Sequence, residues 1–232
     1  MNRSLALAEL DRLRGGLVVS CQAREDNPLH GPRFMAVMAS AAIAGGAVGI
    51  RADGVADVTA IRDAIGPHVP IMGIFKVRQP DGSLFITPGA EGALAILAAG
   101  ARLVALDGTT RPRPGGEQLV DVVSAIHAAG GAALADVGTI EDALYAVSCG
   151  VDAVGTTLSG YTPDSPKSEG PDFVLLQRLA HDCPVPVFAE GRIWTREEAR
   201  KAIELGAAFV VVGTAITNPT AITARFVAAL RG

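Results

Sequence analysis

The sequence predicts a closed parallel β/α barrel, and three observations carry that reading. Eight short apolar runs recur along the chain, helical periodicity fills the intervals between them, and each run stops at or just before a polar residue or a glycine. The runs are GLVVSC, AVGI, IMGIF, LVAL, AALA, DAVG, VPVFA and AFVVV. They have strand length and are continuous rather than alternating in polarity, which marks strands buried on both faces. Eight strand–helix units in 232 residues fit a (β/α)8 TIM barrel spanning residues 1–232 as one domain. An open doubly wound sheet is the alternative architecture.

The elements follow in order. Residues 5–13 precede the first strand and are expected to form an extra helix that closes the bottom of the barrel. A helix-ending glycine, a small residue and a strand recur in AGGAVGI, AAGARLVAL, SCGVDAVG and ELGAAFVVVG. Gly45, Gly100, Gly150 and Gly206 are therefore read as helix C-caps, where positive φ carries no Cβ penalty. Leu119, Val122, Val123 and Ile126 fall at i, i+3, i+4 and i+7, and Ala199, Ala202 and Ile203 begin the same spacing, so each helix offers one apolar face to the sheet. Thr195 followed by Glu198 is a capping box that starts the helix after the seventh strand. Three loops after strands are long, at 77–88, 108–116 and 158–171, and loops of that length in compact domains are often lids or binding loops.

Composition removes several function classes. A formal charge of −4 and a pI near 5.6 give no broad attraction to nucleic acid or to an anionic membrane, so an anionic ligand must be held by local groups. No run approaches the roughly 20 apolar residues of a membrane helix, and the Met-Asn-Arg-Ser start lacks a signal-peptide core. A cytoplasmic protein is expected. Cys21, Cys149 and Cys183 are scattered, suggest neither a disulfide framework nor a zinc site, and read as small buried hydrophobes. None of the four histidines ends a strand, so no metal site is expected, and only His30 lies in a loop that could reach a ligand.

In such barrels the active site lies at the carboxyl ends of the strands. Here that ring is Gln22, Arg51, Lys76, Asp107, Asp136, Thr156, Glu190 and Gly213. Lys76 follows IMGIF, so apolar surroundings can lower its pKa towards that of a proton acceptor; the plainer role is a rim lysine that neutralises an anion. Glu190 adds a second titratable group, and two such groups flanking one carbon can remove and return a proton from opposite sides. An ion pair that only holds the barrel together is the plainer role for this pair. Gln22, Arg51, Asp107, Asp136 and Thr156 are candidates for binding substrate, with loop capping or pairing as the alternative for the aspartates. Gly191 and Arg192 after the seventh strand, with Gly213 and Thr214 after the eighth, are candidates for phosphate, because small residues let backbone N–H groups approach an anion.

At these strand ends the chain resembles the bacterial N-acetylmannosamine-6-phosphate 2-epimerases. The matching stretches are GLVVSCQA, FMAVMASAAIAGGAVGIRADG, IMGIFK, FITP, LVALDGTTRPRP, GTTLSGYT, GPDF, FAEGRI and VVVGTAIT. The resemblance implies a (β/α)8 homodimer without a cofactor, acting on a phosphorylated amino sugar in sialic acid and amino sugar catabolism. It implies Lys76 and Glu190 as the catalytic pair, Gln22, Arg51 and Asp136 near the sugar, and Gly191, Arg192, Gly213 and Thr214 near the phosphate. The chain departs from the family pattern at Val77-Arg78-Gln79, where Arg-Asp-Tyr is usual, and at Asn218, where Arg is usual. Rival readings are a different phosphosugar barrel using Lys76 as a Schiff base and a phosphosugar-binding sensor without turnover.

Overall fold

The apolar runs are strands because both of their faces are covered. In the computed structural model, which describes residues 2–231, the strands are β1 (Leu17–Cys21), β2 (Gly49–Asp53), β3 (Ile71–Ile74), β4 (Lys76–Arg78), β5 (Leu84–Ile86), β6 (Leu103–Asp107), β7 (Ala132–Asp136), β8 (Ala153–Gly155), β9 (Val187–Glu190) and β10 (Phe209–Val212). All but β4 and β5 form a closed barrel of parallel strands in chain order, and β10 returns to β1 through the pair Val18↔Val211. The helices are α1 (Arg3–Arg12), α2 (Pro32–Ala44), α3 (Val55–Ile65), α4 (Ala90–Ala98), α5 (Leu119–Ala128), α6 (Ile140–Ser148), α7 (Phe173–Asp182), α8 (Arg196–Glu204), α9 (Thr214–Thr217) and α10 (Pro219–Arg231).

Successive side chains on a strand point to opposite faces, and this alternation sorts the core into two. Val18, Met72, Leu103, Ala105, Ala132, Leu134, Ala153, Phe188, Phe209 and Val211 fill the barrel interior. Their neighbours in sequence, Val19, Ile71, Val104, Ala133, Val154, Val187 and Val210, pack outward against the helices. Phe188 and Phe209 stack inside at a centroid distance of 5.1 Å, and Gly155 leaves the space that the Phe188 ring occupies. Helix α1 lays Ala6 and Leu10 against the same interior cluster, with Leu13 just beyond it, and so plugs the bottom.

The helix ends follow the local chemistry. Thr195 and Glu198 make the reciprocal capping box at the start of α8. Gly100, Gly150 and Gly206 have φ of 106°, 90° and 103°. Gly45 differs from expectation: it is still right-handed at φ −78°, and the left-handed residue is Gly46 at 99°. Segment 77–88 is also more ordered than a loop, because Lys76, Val77 and Arg78 pair antiparallel with Ile86, Phe85 and Leu84. The hairpin stands at the barrel mouth directly after β3.

Among the described residues, no helix is long and apolar enough to cross a membrane. A Gly155→Ala substitution drives a methyl into the Phe188 ring, and overpacking of this kind costs about 1–3 kcal/mol. The urea midpoint of the variant is expected to fall accordingly with an unchanged m-value.

Candidate active site

The inward alternation brings charged groups to the top of the barrel. Met72 and Ile74 point inward on β3, and the same parity carries to Lys76. Leu134 carries to Asp136, Phe188 to Glu190, and Ser20 to Gln22. On β2 the outward residues Ile50 and Ala52 leave Arg51 and Asp53 facing the interior. Arg51 therefore does not end its strand. It lies in the middle of β2, and the strand runs on to Asp53.

Arg51 is fully buried and reaches across the barrel. Its Nη1 and Nη2 donate to Asp136 Oδ1 and Oδ2 at 3.0 and 2.6 Å, a two-pronged pair, and Nη1 also donates to Glu190 Oε2 at 2.7 Å. Thr157 joins the group, its hydroxyl 2.5 Å from Asp136 Oδ1 and 3.3 Å from Glu190 Oε2. A planar guanidinium suits this task because its fixed fork can serve two carboxylates at once. Burial works against the Arg51 charge, but Asp136 and Glu190 outweigh it, and its pKa ends above the ordinary value.

Glu190 responds differently. Burial is the largest influence and raises its pKa; Arg51 pulls the other way, Asp136 adds repulsion, and the result is about 7. Lys76 sits at the rim with 32% of its side chain still exposed. Crowding by the barrel wall is again the leading cause and lowers its pKa, with Asp53 opposing, Arg51 reinforcing and Glu190 opposing. Because a third of this side chain meets water, the effect is smaller than for an enclosed lysine. The Lys76 ammonium donates to Gln22 Oε1 and lies 3.6 Å from Asp53 Oδ2. The site thus holds an acid raised towards neutrality and a base lowered towards it, at one mouth.

The structure brings Gln22, Arg51, Lys76, Asp136 and Glu190 to this one mouth in two bonded groups, Arg51 with Asp136 and Glu190, and Lys76 with Gln22 and Asp53. Asp107 ends β6 and points inward, yet its carboxylate serves its own loop: Oδ1 accepts from the Thr109 hydroxyl at 2.6 Å and backbone at 3.1 Å, and Oδ2 pairs with Arg111. Thr156 has the wrong parity. Its hydroxyl bonds to the backbone N and O of Glu190, at 3.1 and 2.8 Å, and fixes the end of β9. The next residue, Thr157, is the one that touches the carboxylates. Counting alternate residues from Ala153 and Arg51 would have found both Thr157 and Asp53 in the sequence.

Gly191 and Gly213 lie at the ends of adjacent strands. Gly191 takes φ 111°, and a side chain at Gly213 would press on Ser20. Arg192, itself left-handed at φ 56°, donates to the carbonyls of Gly170 at 2.8 Å and Ser159 at 2.6 Å, clamping the ends of loop 158–171. Thr214 opens α9 and is exposed. Cys21 points outward beneath the helices, and burial followed by Asp57 pushes its thiol up to about 12, which rules out a resting nucleophile at neutral pH. Cys149 and Cys183 are only half-buried. His30 is exposed and bonds to the Ala23 carbonyl. Among the described residues, no group of three or more His, Cys, Asp or Glu could hold a metal ion.

Fold and site together define a (β/α)8 barrel equipped for proton transfer at its carboxyl-terminal mouth. Residues 35–232 match the model of a family described as "Putative N-acetylmannosamine-6-phosphate epimerase". A Clostridioides difficile (strain 630) protein described as a "Putative N-acetylmannosamine-6-phosphate 2-epimerase" is 46% identical, covering 95% of this chain and 98% of its own length. A Cutibacterium acnes protein of the same description is 47% identical over 94% of this chain and 95% of its own. The solved N-acetylmannosamine-6-phosphate 2-epimerase from Clostridium perfringens superposes with a TM-score of 0.91 at 46% identity, covering 95% of both chains. A thiamine phosphate pyrophosphorylase from Pyrococcus furiosus, at TM-score 0.63 and 18% identity, shares the fold alone. The chain belongs to the N-acetylmannosamine-6-phosphate 2-epimerase family.

Replacing Arg51 by Met leaves Asp136 buried without its cation, and breaking such a pair from one side costs about 3–5 kcal/mol. Urea unfolding of Arg51→Met is expected to show a loss of that size. A loss below about 1 kcal/mol, the range of a surface pair, would contradict the arrangement.

Proposed function

We propose that the protein interconverts N-acetylmannosamine 6-phosphate and N-acetylglucosamine 6-phosphate by removing and returning the C2 proton of the open-chain sugar. The observation that carries this reading is the delivery of Lys76 and Glu190 to one barrel mouth, Glu190 held by Arg51 at 2.7 Å and Lys76 by Gln22 and Asp53, with their pKa values displaced towards each other. The C2 hydrogen is acidic only while C1 is an aldehyde, so ring opening precedes proton transfer. Lys76 and Glu190 then act as the proton-transfer pair, one accepting as the other donates. Arg51, fixed before the sugar arrives, favours the negative charge that builds on the enolate. Gln22 and Asp136 lie beside the pair and orient the sugar.

Gly191, Arg192, Gly213 and Thr214 are the groups for the phosphate, whose binding energy holds the reacting carbon in place. At Asn218, the side chain accepts from the Ala221 N–H at 3.1 Å and so starts α10. Its role is structural, which leaves Arg192 as the cation of this subsite. A charged, membrane-impermeant substrate puts the reaction in the cytoplasm, with no nucleic acid or membrane partner and no cofactor.

Each direction needs one proton shared between Lys76 and Glu190. On this reading kcat/KM is bell-shaped: it rises as pH increases through about 7, where Glu190 loses its proton, and falls through a pH below 10.5, where Lys76 loses its own. The test is proton NMR in D₂O with N-acetylmannosamine 6-phosphate. Wild type is expected to form the epimer with deuterium at C2, while Lys76→Ala keeps its fold and incorporates none. Retained incorporation in that variant would overturn the role of Lys76, and wild-type turnover in Glu190→Gln that of Glu190.

The chain is further proposed to work as a homodimer that exchanges α10. This helix buries no residue of its own, although Ile222, Phe226 and Leu230 line one face at steps of four. Phe226 and Leu230 are 70% and 88% exposed. Meanwhile Phe34, Val37, Met38 and Ala41 on α2, at i, i+3, i+4 and i+7, line a hollow of about 420 Å³ with Leu29 and Arg33. An uncovered apolar helix and an uncovered apolar groove on one chain complement each other between two copies. Burying each large apolar side chain contributes about 1.5–3 kcal/mol. Light scattering is expected to give a dimer for wild type and a monomer for Phe226→Asp. A wild-type monomer at micromolar concentration, or a dimer that survives the substitution, would contradict this.

A further inference from the structure

Asp53 was not among the groups that the pattern of polar strand ends brought forward, yet it grips Lys76 twice. Its Oδ1 accepts the Lys76 backbone N–H at 3.0 Å, and its Oδ2 lies 3.6 Å from the Lys76 ammonium. The strand register explains how. Asp53 pairs with Ile74 at the end of β3, and the Gly54 N–H donates to the Ile74 carbonyl at 2.8 Å. Asp53 therefore stands beside the chain at the point where it leaves the barrel wall and turns into the β4–β5 hairpin. Gln22 takes the ammonium from the other flank and is itself braced by donating to the Ser20 hydroxyl at 2.7 Å.

We propose that Asp53 is the positioning residue for Lys76, one carboxylate holding both the backbone and the ammonium of the proton-transferring lysine so that its Nζ stays aimed into the barrel mouth. This rests on the epimerase reading and names a group that serves it. Lysine has a long flexible stem, and most of its rotamers would carry the charge out to solvent. A partner on the neighbouring strand selects the inward one. The charged groups around Lys76 are Asp53 and Arg51 from β2 and Glu190 from β9, with Asp57 of α3 behind Asp53. Asp53 is the carboxylate nearest the ammonium, so its removal withdraws the main support of the Lys76 positive charge.

Asp53→Asn is the informative variant, because the amide oxygen can keep the backbone hydrogen bond while the charge is lost. The rate at which Lys76 reacts with trinitrobenzenesulfonate is followed against pH by peptide mass spectrometry, beside kcat and KM for epimerisation. In Asp53→Asn the midpoint for Lys76 and the basic limb of kcat/KM are expected to move together to lower pH, by roughly half a unit or more. The value of kcat is expected to fall about tenfold with KM little changed. Asp53→Glu is expected to restore the limb in part. An unmoved Lys76 midpoint in a folded Asp53→Asn, or one that Asp53→Glu displaces equally, would overturn the proposal. The labelling needs no turnover, so it decides the matter even if wild type failed to epimerise the sugar, and the two failures are distinguishable.

Discussion

The site depends on one constraint: a guanidinium with almost no access to water must satisfy two carboxylates that reach it from β7 and β9, across the barrel from its own strand. Arg51 meets it by giving both of its terminal nitrogens to Asp136 and sharing one of them with Glu190. Buried charges survive only when paired and hydrogen-bonded. Asp136 is held from both sides, by the fork of Arg51 and by the Thr157 hydroxyl. Glu190 receives a single nitrogen of Arg51 and a longer contact from Thr157. Burial raises the pKa of Glu190 towards neutrality, and its single bond from Arg51 offsets that only in part. Unequal sharing of one cation is thus the physical basis of the proposed division between Asp136, which holds, and Glu190, which carries a proton.

The barrel makes that sharing possible. Its interior is closed below by α1 and by the stacked Phe188 and Phe209, so polar groups can converge only at the carboxyl ends. Inward side chains at or near the strand ends meet there in a common layer. Strands β2, β7 and β9 supply Arg51, Asp136 and Glu190, while Lys76 comes from just beyond β3 and Gln22 from just beyond β1. Thr156 pins the end of β9 through the Glu190 backbone, so the carboxylate proposed to move a proton is carried on main chain tied to the neighbouring strand end. Arg192 fixes loop 158–171 beside it.

The fold was legible because strands buried on both faces read as continuous apolar runs, and eight of them alternate with amphipathic helices. Most of the candidate site was legible for the same reason: where an apolar run stops, a strand usually ends. The rule failed where a polar residue is buried inside a strand. Arg51 interrupts β2 without ending it, which hid Asp53 two residues on. It also picked Thr156 over Thr157, because a run of apolar letters does not show which face its next residue takes. Asp107 met every sequence criterion and is nevertheless occupied by Thr109 and Arg111, a competition settled by loop geometry that no spacing reveals. Segment 77–88 reads as a loop in the sequence because the strands of its hairpin are three residues each, too short to show a period.

The most direct measurement of the central claim is a carboxyl ¹³C NMR titration of Glu190 in the intact protein, assigned with Glu190→Gln. Unequal sharing of Arg51 requires Glu190 to titrate near 7 and its midpoint to rise further in a folded variant that removes the Arg51 charge. A midpoint near the ordinary value of about 4.3, or one indifferent to Arg51, would contradict the account.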